Sequence, residues 1–215
     1  MKIGIANDHR GVNLKKKIMN YLHEKDILCV DYGTNSEESC DYVDYALKLG
    51  NAINNKEVDL GILICGTGIG MSIAANKING IRCARVVNSD EAKLSREHNM
   101  ANIMAIGENI EDVFSVVDTF INTKESKEER HIRRVNKIMD IERKSLLKIS
   151  GIIAIVFGIL ACLTLVGAIV GVPLIIGGAK MKEYADYTDE QIIANKDEIP
   201  IWTIVFLFFC QISGI

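Results

Sequence analysis

The sequence lacks the closely spaced cysteines on which disulfide scaffolds and zinc sites depend. Its six cysteines lie at irregular intervals and form no CxxC pair. This spacing argues against either kind of site, and a reducing compartment is the simpler interpretation. We also expect no signal peptide, because the N-terminal stretch reaches Lys2 and Asp8 before any sufficiently long apolar segment.

A strong excess of charge of one sign is also missing. Residues 1–144 contain 21 basic and 22 acidic side chains, which gives a net charge of −1. Domains that bind nucleic acid normally carry a basic patch or a clear surplus of positive charge. The near balance therefore argues against binding of DNA or RNA through bulk charge.

The usual nucleotide-binding motifs are absent, although residues 61–70 read Gly-Ile-Leu-Ile-Cys-Gly-Thr-Gly-Ile-Gly. The dinucleotide pattern GxGxxG fails, because its sixth position is Met71 when counted from Gly66 and Ile73 when counted from Gly68. No Gly-Lys-Ser/Thr follows, so the Walker pattern fails as well. The loop keeps the capacity to bind some other anion.

A cysteine stands at the point where a predicted strand meets this glycine turn. Cys65 ends the apolar run 60–65, and a helix-compatible segment follows the glycines. Backbone N–H groups converge at such a turn, which lowers the pKa of a thiol and stabilises an anion formed beside it. A lone buried cysteine more often only packs. The glycine turn and the histidines expected nearby favour Cys65 as a base or nucleophile.

Short apolar strands alternate with helices of about ten residues in the first 144 residues. The predicted strands cover residues 3–6, 27–30, 60–65, 81–87 and 102–106. This order predicts an α/β fold, a doubly wound, Rossmann-like parallel sheet of five strands with helices on both faces. Ligands of such folds bind at the carboxyl ends of the strands.

The loops after the first, third and fifth strands should therefore line a common site. They carry Asp8 and His9, the Cys65 loop, and Gly107 to Asn109. His98 and Asn99 are expected to reach the same site from the segment before the fifth strand. A metal site formed by Asp8, His9 and His98 is conceivable, but no i,i+4 or HxH spacing supports it.

A charged helix is predicted from Glu128 to about Lys148, and two of its arginines allow two interpretations. Arg130 and Arg134 are separated by four residues, so their side chains lie on one helix face. The default for such a charge run is a solvated surface. The same geometry suits a phosphate group.

Several short motifs appear together with a characteristic spacing. They are Asp8-His9, Asp41-Tyr42, Cys65-Gly-Thr-Gly-Ile-Gly70, Ser72-Ile-Ala-Ala-Asn-Lys77, Gly80-Ile-Arg82, Leu94-Ser-Arg-Glu-His-Asn99 and Arg130-His-x-x-Arg134-Val135. In these motifs, over about residues 1–143, the chain resembles the ribose-5-phosphate isomerase B family, which includes the galactose-6-phosphate isomerase subunits. The resemblance implies metal-independent and cofactor-independent isomerisation of D-ribose 5-phosphate to D-ribulose 5-phosphate, a step of the pentose phosphate pathway. The reaction passes through a cis-enediolate.

The resemblance implies four catalytic residues. Cys65 corresponds to the base, His98 to the acid–base residue that opens the sugar ring, and Asp8 to a group that handles protons on the sugar oxygens. Thr67 positions the sugar beside them. Because members of the family build the site across a subunit interface, a homodimer or a dimer of dimers with shared sites is also implied.

A larger set of residues corresponds to substrate-binding positions. They are His9, Tyr42, Gly66, Gly68, Ile69, Gly70, Ser72, Asn99, Asn109, Arg130 and Arg134. Within this set the amides of residues 66–70 correspond to the anion hole, and the histidine and both arginines to the phosphate site.

The chain departs from the common family pattern at three places. Arg10 stands where many members have glycine, Asn109 where they commonly have arginine, and Glu128-Glu129 where Gly-Gly is usual. We expect weaker substrate binding or a changed sugar preference from the missing arginine. Isomerisation of allose or galactose 6-phosphate, or a non-catalytic membrane module that binds a sugar phosphate, are the alternatives. The complete Cys-Gly-Thr-Gly loop is more typical of the ribose branch.

The last third of the chain, residues 145–215, is of a different composition. Residues 149–179 contain no ionisable side chain except Cys162, and this run exceeds the roughly 20 residues that a membrane-spanning helix needs. We predict transmembrane helices at 149–179 and 200–215, with an acidic linker at 183–198 between them. Lys137, Lys144 and Lys148 place the start of the first helix in the cytoplasm, together with the catalytic domain. The end of the chain inside an apolar run also fits a fused or truncated reading frame.

Overall fold

The computed structural model describes residues 1–162, 175–180 and 182–183. The chain divides into two units, residues 1–136 and residues 137–215, and each is described by itself. The sequence-based division at residue 144 stays a prediction.

The first unit contains a five-stranded sheet in which every neighbouring pair of strands is parallel. Its strands are β1 (Lys2–Asn7), β2 (Leu28–Asp31), β3 (Leu60–Cys65), β4 (Cys83–Arg85) and β5 (Ile103–Gly107), in the spatial order β2-β1-β3-β5-β4. The predicted α/β fold is confirmed. β4 is shorter than the predicted strand 81–87, because as an edge strand it pairs with β5 over only three residues.

Helices cover both faces of the sheet. They are α1 (Val12–Glu24), α2 (Tyr42–Asn54), α3 (Ile69–Ala75), α4 (Ser89–Asn99) and α5 (Val113–Asn122). A 3-10 turn at His9–Gly11 precedes α1, and α6 (Glu129–Cys162) follows α5. Successive side chains of a strand point to opposite faces. In β3, Ile62 and Ile64 accordingly join the core under α1, α4 and α5, whereas Leu63 and Cys65 join the core under α2 and α3.

The direction of α4 decides which edge of the sheet its residues reach. Asn88 caps the helix, since its side chain accepts the Glu91 N–H at 2.9 Å, directly after β4 and so at the carboxyl edge of the sheet. α4 then runs back for 11 residues, about 16 Å, and ends at Asn99. The chain next passes Asn102, whose carbonyl accepts the N–H of Gly61 at the start of β3. The end of α4 therefore lies at the amino edge.

In the second unit, α6 continues to Cys162 and residues 175–180 are helical. Two glycines allow close packing there, since a Cβ on Gly151 would lie 2.6 Å from the Gly178 carbonyl oxygen. Within the described residues, no helix combines the length and the apolar character that crossing a bilayer requires. The predicted span at 200–215 and residues 163–174 of the predicted span 149–179 lie outside the described residues.

Candidate active site

Cys65 lies at the carboxyl edge of the sheet with a backbone donor directed at its sulfur. It is the last residue of β3, it is 4 % exposed, and its Sγ accepts the N–H of Gly68 at 3.1 Å. Gly68 has a φ of +75°, and a Cβ there would lie 3.0 Å from the Ala105 carbonyl oxygen. Both features require glycine at position 68. Only with glycine there can the turn direct the residue 68 amide at the Cys65 sulfur.

Two other thiols of the first unit lie in a different environment. Burial raises the pKa of Cys83 to about 12, and burial together with Asp31 raises that of Cys29 to about 11. Both thiols are therefore protonated at neutral pH and unsuited to proton abstraction.

Hydrogen bonds from side chains hold the loop after β3 in place. The Thr67 hydroxyl accepts the Ile69 N–H at 3.2 Å, and the Thr67 carbonyl accepts Nε–H of Arg85 at 3.1 Å. Arg85 reaches the loop from the end of β4. Gly107, at the end of the intervening β5, leaves room for the loop, since a Cβ there would lie 3.3 Å from the Gly66 carbonyl oxygen. Sequence reasoning missed Arg85, although a basic residue in a predicted strand was a visible signal.

The loop after β1 brings a carboxylate beside the thiol. Asn7 pairs with Ile64 in the sheet, so Asp8 and Cys65 follow on neighbouring strands, whose backbones lie about 5 Å apart. The Asp8 N–H donates to the Ile64 carbonyl at 3.1 Å, and its side chain is 5 % exposed. Its Oδ1 accepts the N–H of Arg10 at 2.9 Å. The carboxylate is thus held at the predicted site.

The imidazole of His9 has a defined orientation. Its Nδ1 accepts the Cys40 N–H at 3.3 Å, so in the neutral ring the proton is on Nε2. Nε2–H is thus the donor that this ring can offer to an anionic ligand.

The remaining predicted residues at this edge pack around the turn. The ring of Tyr42 lies on Gly70, where a Cβ would come within 2.7 Å of the tyrosine Cζ. The hydroxyl of Ser72 donates to the Ile69 carbonyl at 2.8 Å, inside α3. Asn109 is exposed in the loop after β5.

Within a single chain, the expectation that His98 and Asn99 join this crevice is wrong. Both residues are at the end of α4, at the amino edge, whereas Cys65 is at the carboxyl edge. A segment that leads into a strand lies at that strand's amino end, and sequence reasoning overlooked this direction. The conceivable metal site of Asp8, His9 and His98 is separated for the same reason. Among the residues that the structure describes, no three His, Cys, Asp or Glu side chains converge as metal ligands.

His98 has a partner in its own neighbourhood. Its ring stacks on that of His131, with centroids 4.0 Å apart and an interplanar angle of 2°. His131 is 4 % exposed, and within the described part of the chain its Nε2 has no hydrogen-bond partner. Glu128 is the nearby carboxylate, with Oε2 3.7 Å from that nitrogen. Burial, followed by His98 and Arg130, lowers the pKa of His131.

Both predicted phosphate arginines lie at this second location. Arg130 and Arg134 are exposed on α6, and Arg130 donates through Nε to the Glu128 carboxylate at 2.6 Å. The predicted site residues, with His131 added, therefore lie in two groups. We call the first the thiol group, around Asp8, His9, Tyr42 and the Cys65 loop, and the second the imidazole group, His98, Asn99, His131, Arg130 and Arg134.

Comparison with known proteins assigns the first unit to a family. The family model for ribose/galactose isomerase matches residues 3–138. Ribose-5-phosphate isomerase B of Escherichia coli is 41 % identical over 146 residues, which cover 66 % of this chain and 97 % of that protein. A structure of Clostridium thermocellum ribose-5-phosphate isomerase B is 47 % identical with a TM-score of 0.65, and covers 67 % of this chain and 99 % of its own. The Mycoplasma genitalium enzyme with bound ribulose 5-phosphate is 38 % identical with a TM-score of 0.62, over 66 % and 96 % of the two chains.

The remainder of the chain has a match of its own. A family model of unknown function matches residues 138–205. The two matches meet at residue 138, and the fused or truncated interpretation of the tail stays a prediction.

Proposed function

The chain belongs to the ribose/galactose isomerase family and is an aldose–ketose isomerase, and we propose that it converts D-ribose 5-phosphate to D-ribulose 5-phosphate. The observation that carries this proposal is the Cys65 sulfur, held at a strand end with the Gly68 N–H directed at it. The family match and the bound ribulose 5-phosphate of the Mycoplasma genitalium relative support the choice of sugar.

In this proposal Cys65 acts as the base. Its thiolate takes the proton from C2 of the open-chain aldose, and the electrons of that bond form the enediolate while the carbonyl oxygen gains negative charge. The amides of residues 66–70 stabilise that oxygen. The thiol then returns the proton to C1, which completes the ketose. No group is consumed in the cycle.

Asp8 and Thr67 act on the sugar oxygens. The buried Asp8 carboxylate lies beside the thiol and is suited to move the proton between the oxygens on C1 and C2. The Thr67 side chain accepts the Ile69 N–H, so its own hydroxyl proton remains to orient the substrate. Tyr42, packed on Gly70, closes one side of the position for the sugar.

Ring opening needs a residue from a second copy of the chain. A cyclic sugar opens when a base removes the hydroxyl proton on C1 while an acid protonates the ring oxygen. His98 is the residue proposed for this step, and it lies too far from Cys65 of its own chain. We therefore place the thiol group of one subunit against the imidazole group of the partner in a homodimer, which brings His98, Asn99, Arg130 and Arg134 to the substrate.

The decisive experiment is an assay of the full-length chain with ribose 5-phosphate in the presence of EDTA. We expect formation of ribulose 5-phosphate at a rate that EDTA does not change. Allose 6-phosphate and galactose 6-phosphate in parallel assays test the alternative sugars. Binding of ribulose 5-phosphate without turnover would instead identify a non-catalytic binding module.

A second proposal concerns the location of the protein. The apolar composition of residues 149–179 and the flanking lysines support attachment to a membrane, with the isomerase unit in the cytoplasm. Fractionation of the full chain and of a version ending at Ser145 tests it. Recovery of both from the soluble fraction would contradict attachment.

A further inference from the structure

One arginine next to the thiol group has no role in the mechanism above. Arg10 follows His9, and its backbone is fixed by the bond from its N–H to Asp8 Oδ1 at 2.9 Å. Its side chain extends past the Cys65 loop, with Cγ 3.9 Å from the position of a Cβ on Gly66. The side chain is 58 % exposed, so it lies on the surface beside the loop and is not buried beneath it.

The far end of this side chain meets a carboxylate. The Arg10 guanidinium donates to one oxygen of Glu108, Oε1, through Nε at 2.9 Å and through Nη2 as well. Glu108 is anchored, since its N–H donates to the Cys65 carbonyl at 2.9 Å and its side chain is only 19 % exposed. The pair therefore spans from the loop after β1 to the loop after β5, directly over the glycine turn.

The chemistry of this pair matches that of a sugar phosphate. A guanidinium binds carboxylates and phosphates with the same two-pronged geometry, and it stays charged at every physiological pH. The Glu108 oxygen accepts from the Arg10 guanidinium beside the glycine turn. It therefore occupies a position that a phosphate oxygen of a ligand could take. The neighbouring Asn109 is neutral and exposed. It therefore neither competes for the Arg10 guanidinium nor supplies a positive charge of its own.

We propose that Arg10 binds the phosphate of the substrate and that Glu108 competes with the phosphate for this guanidinium. The inference rests on the proposed function for the identity of the phosphate ester, and it adds a binding residue on the Cys65 side of the site. Arg10 exchanges its partner on binding, and Glu108 sets how tightly phosphate is held. Residue 10 thereby becomes a determinant of affinity.

Two substitutions with opposite expected signs test this exchange. In Arg10→Gln the phosphate loses a charged donor, so KM for ribose 5-phosphate and Ki for inorganic phosphate should rise about tenfold or more, with kcat changed less. In Glu108→Gln the competing anion is lost, so both constants should fall by about two- to fivefold. Arg10→Lys keeps the charge without the fork and should be intermediate.

A matched control comes from another ion pair of the same unit. Lys25 pairs with Asp118, both residues lie far along the chain from the Cys65 loop, and their side chains are 40 % and 31 % exposed. Lys25→Gln removes one positive charge, as Arg10→Gln does, and should leave both constants unchanged. This control separates a local contact from the general effect of net charge.

Direct measurement of phosphate binding keeps this test independent of the catalytic assay. Calorimetric titration of the full chain with inorganic phosphate gives the dissociation constant for each variant without turnover. A wild-type chain without turnover would refute the isomerase proposal. The exchange would still be supported if Glu108→Gln binds phosphate more tightly than the wild type and Arg10→Gln binds it more weakly. Equal phosphate binding in all variants, a shift of both variants in the same direction, or no binding to the unchanged chain would overturn it.

Discussion

The two groups of predicted site residues differ in how the fold holds them. In the thiol group, backbone bonds fix the geometry, from the Gly68 N–H on the Cys65 sulfur to the Asp8 N–H on the Ile64 carbonyl. In the imidazole group, ring stacking of His98 on His131 fixes it, and the buried Nε2 of His131 is left without a partner among the described residues. In the proposed mechanism the first group supplies the base and the amides, and the second supplies the imidazole and the arginines. On that proposal one chain carries the two halves of a site that two subunits complete.

The largest expected effect is the loss of the proposed base. In Cys65→Ala the proton on C2 has no acceptor, so turnover should fall at least about 10³-fold. Cys83→Ala is a matched control, because it also removes a buried thiol from the same unit and should keep near-normal turnover. Steady-state assays give the rates, and thermal unfolding verifies that both variants fold. Near-normal turnover of Cys65→Ala would remove this residue as the base.

The next effect tests the division between the two groups. His98→Asn should slow the conversion of closed-ring ribose 5-phosphate about 10²-fold, because ring opening then depends on water. The measurement is the initial rate with ribose 5-phosphate at its equilibrium between the closed-ring and open-chain forms.

Mixing two inactive variants sharpens this prediction. A hybrid dimer of Cys65→Ala and His98→Asn has one site with both residues intact and one with neither. Random exchange of subunits makes half of the dimers hybrid, so about a quarter of the normal activity should return. Activity that stays at the level of the separate variants would contradict a site shared between subunits.

A smaller effect is expected from the residue that fastens the loop. Arg85→Gln removes the charged donor to the Thr67 carbonyl, so the loop amides are less well placed for the enediolate. We expect kcat to fall about three- to tenfold, with KM changed less, since the amides act most strongly in the transition state. Arg85→Lys should recover part of the loss. A change confined to KM would assign Arg85 to substrate binding.

The smallest effect concerns pH and the histidine pair. Burial lowers the pKa of His131 below its ordinary value of about 6.5, helped by His98, Arg130 and Arg134 and opposed by Glu128. The unfolded chain therefore binds this proton more readily than the folded chain, and stability declines as the pH falls below about 6.5.

Thermal unfolding between pH 8 and 5.5 measures this decline. His131→Phe keeps a stacked ring but removes the titration, so its Tm should change less over the same interval. Identical pH profiles of the two proteins would exclude His131 as a source of acid sensitivity.

The sequence predicted the central strand well and the edges less well. Residues 60–65 form β3 as expected, because a wholly buried strand appears as an uninterrupted apolar run. β4 is shorter than expected, since apolar residues beside an edge strand need not pair. α6 extends beyond the predicted end near Lys148, because apolar composition does not mark a boundary where the helix continues.

The candidate residues and a site shared between subunits were predicted from the resemblance, and their roles stay predictions. Motif spacing identified Cys65, Asp8 and His98, and it could not reveal that α4 turns His98 away from the thiol. Arg85 and the bond from Arg10 to Glu108 were missed for a related reason. Each links loops that are distant in the sequence, and such contacts depend on the order of strands in the sheet.

The direction of α4 has a consequence for how the activity depends on the amount of protein. If His98 serves a neighbouring molecule, the working catalyst is a pair, and dilution below the dissociation constant of that pair lowers the rate per chain. Cells that make little of this protein would then lose more than a proportional share of its output. The segment after residue 138 is covalently attached to the isomerase unit, so any association between such segments also raises the local concentration of isomerase units and favours the pair.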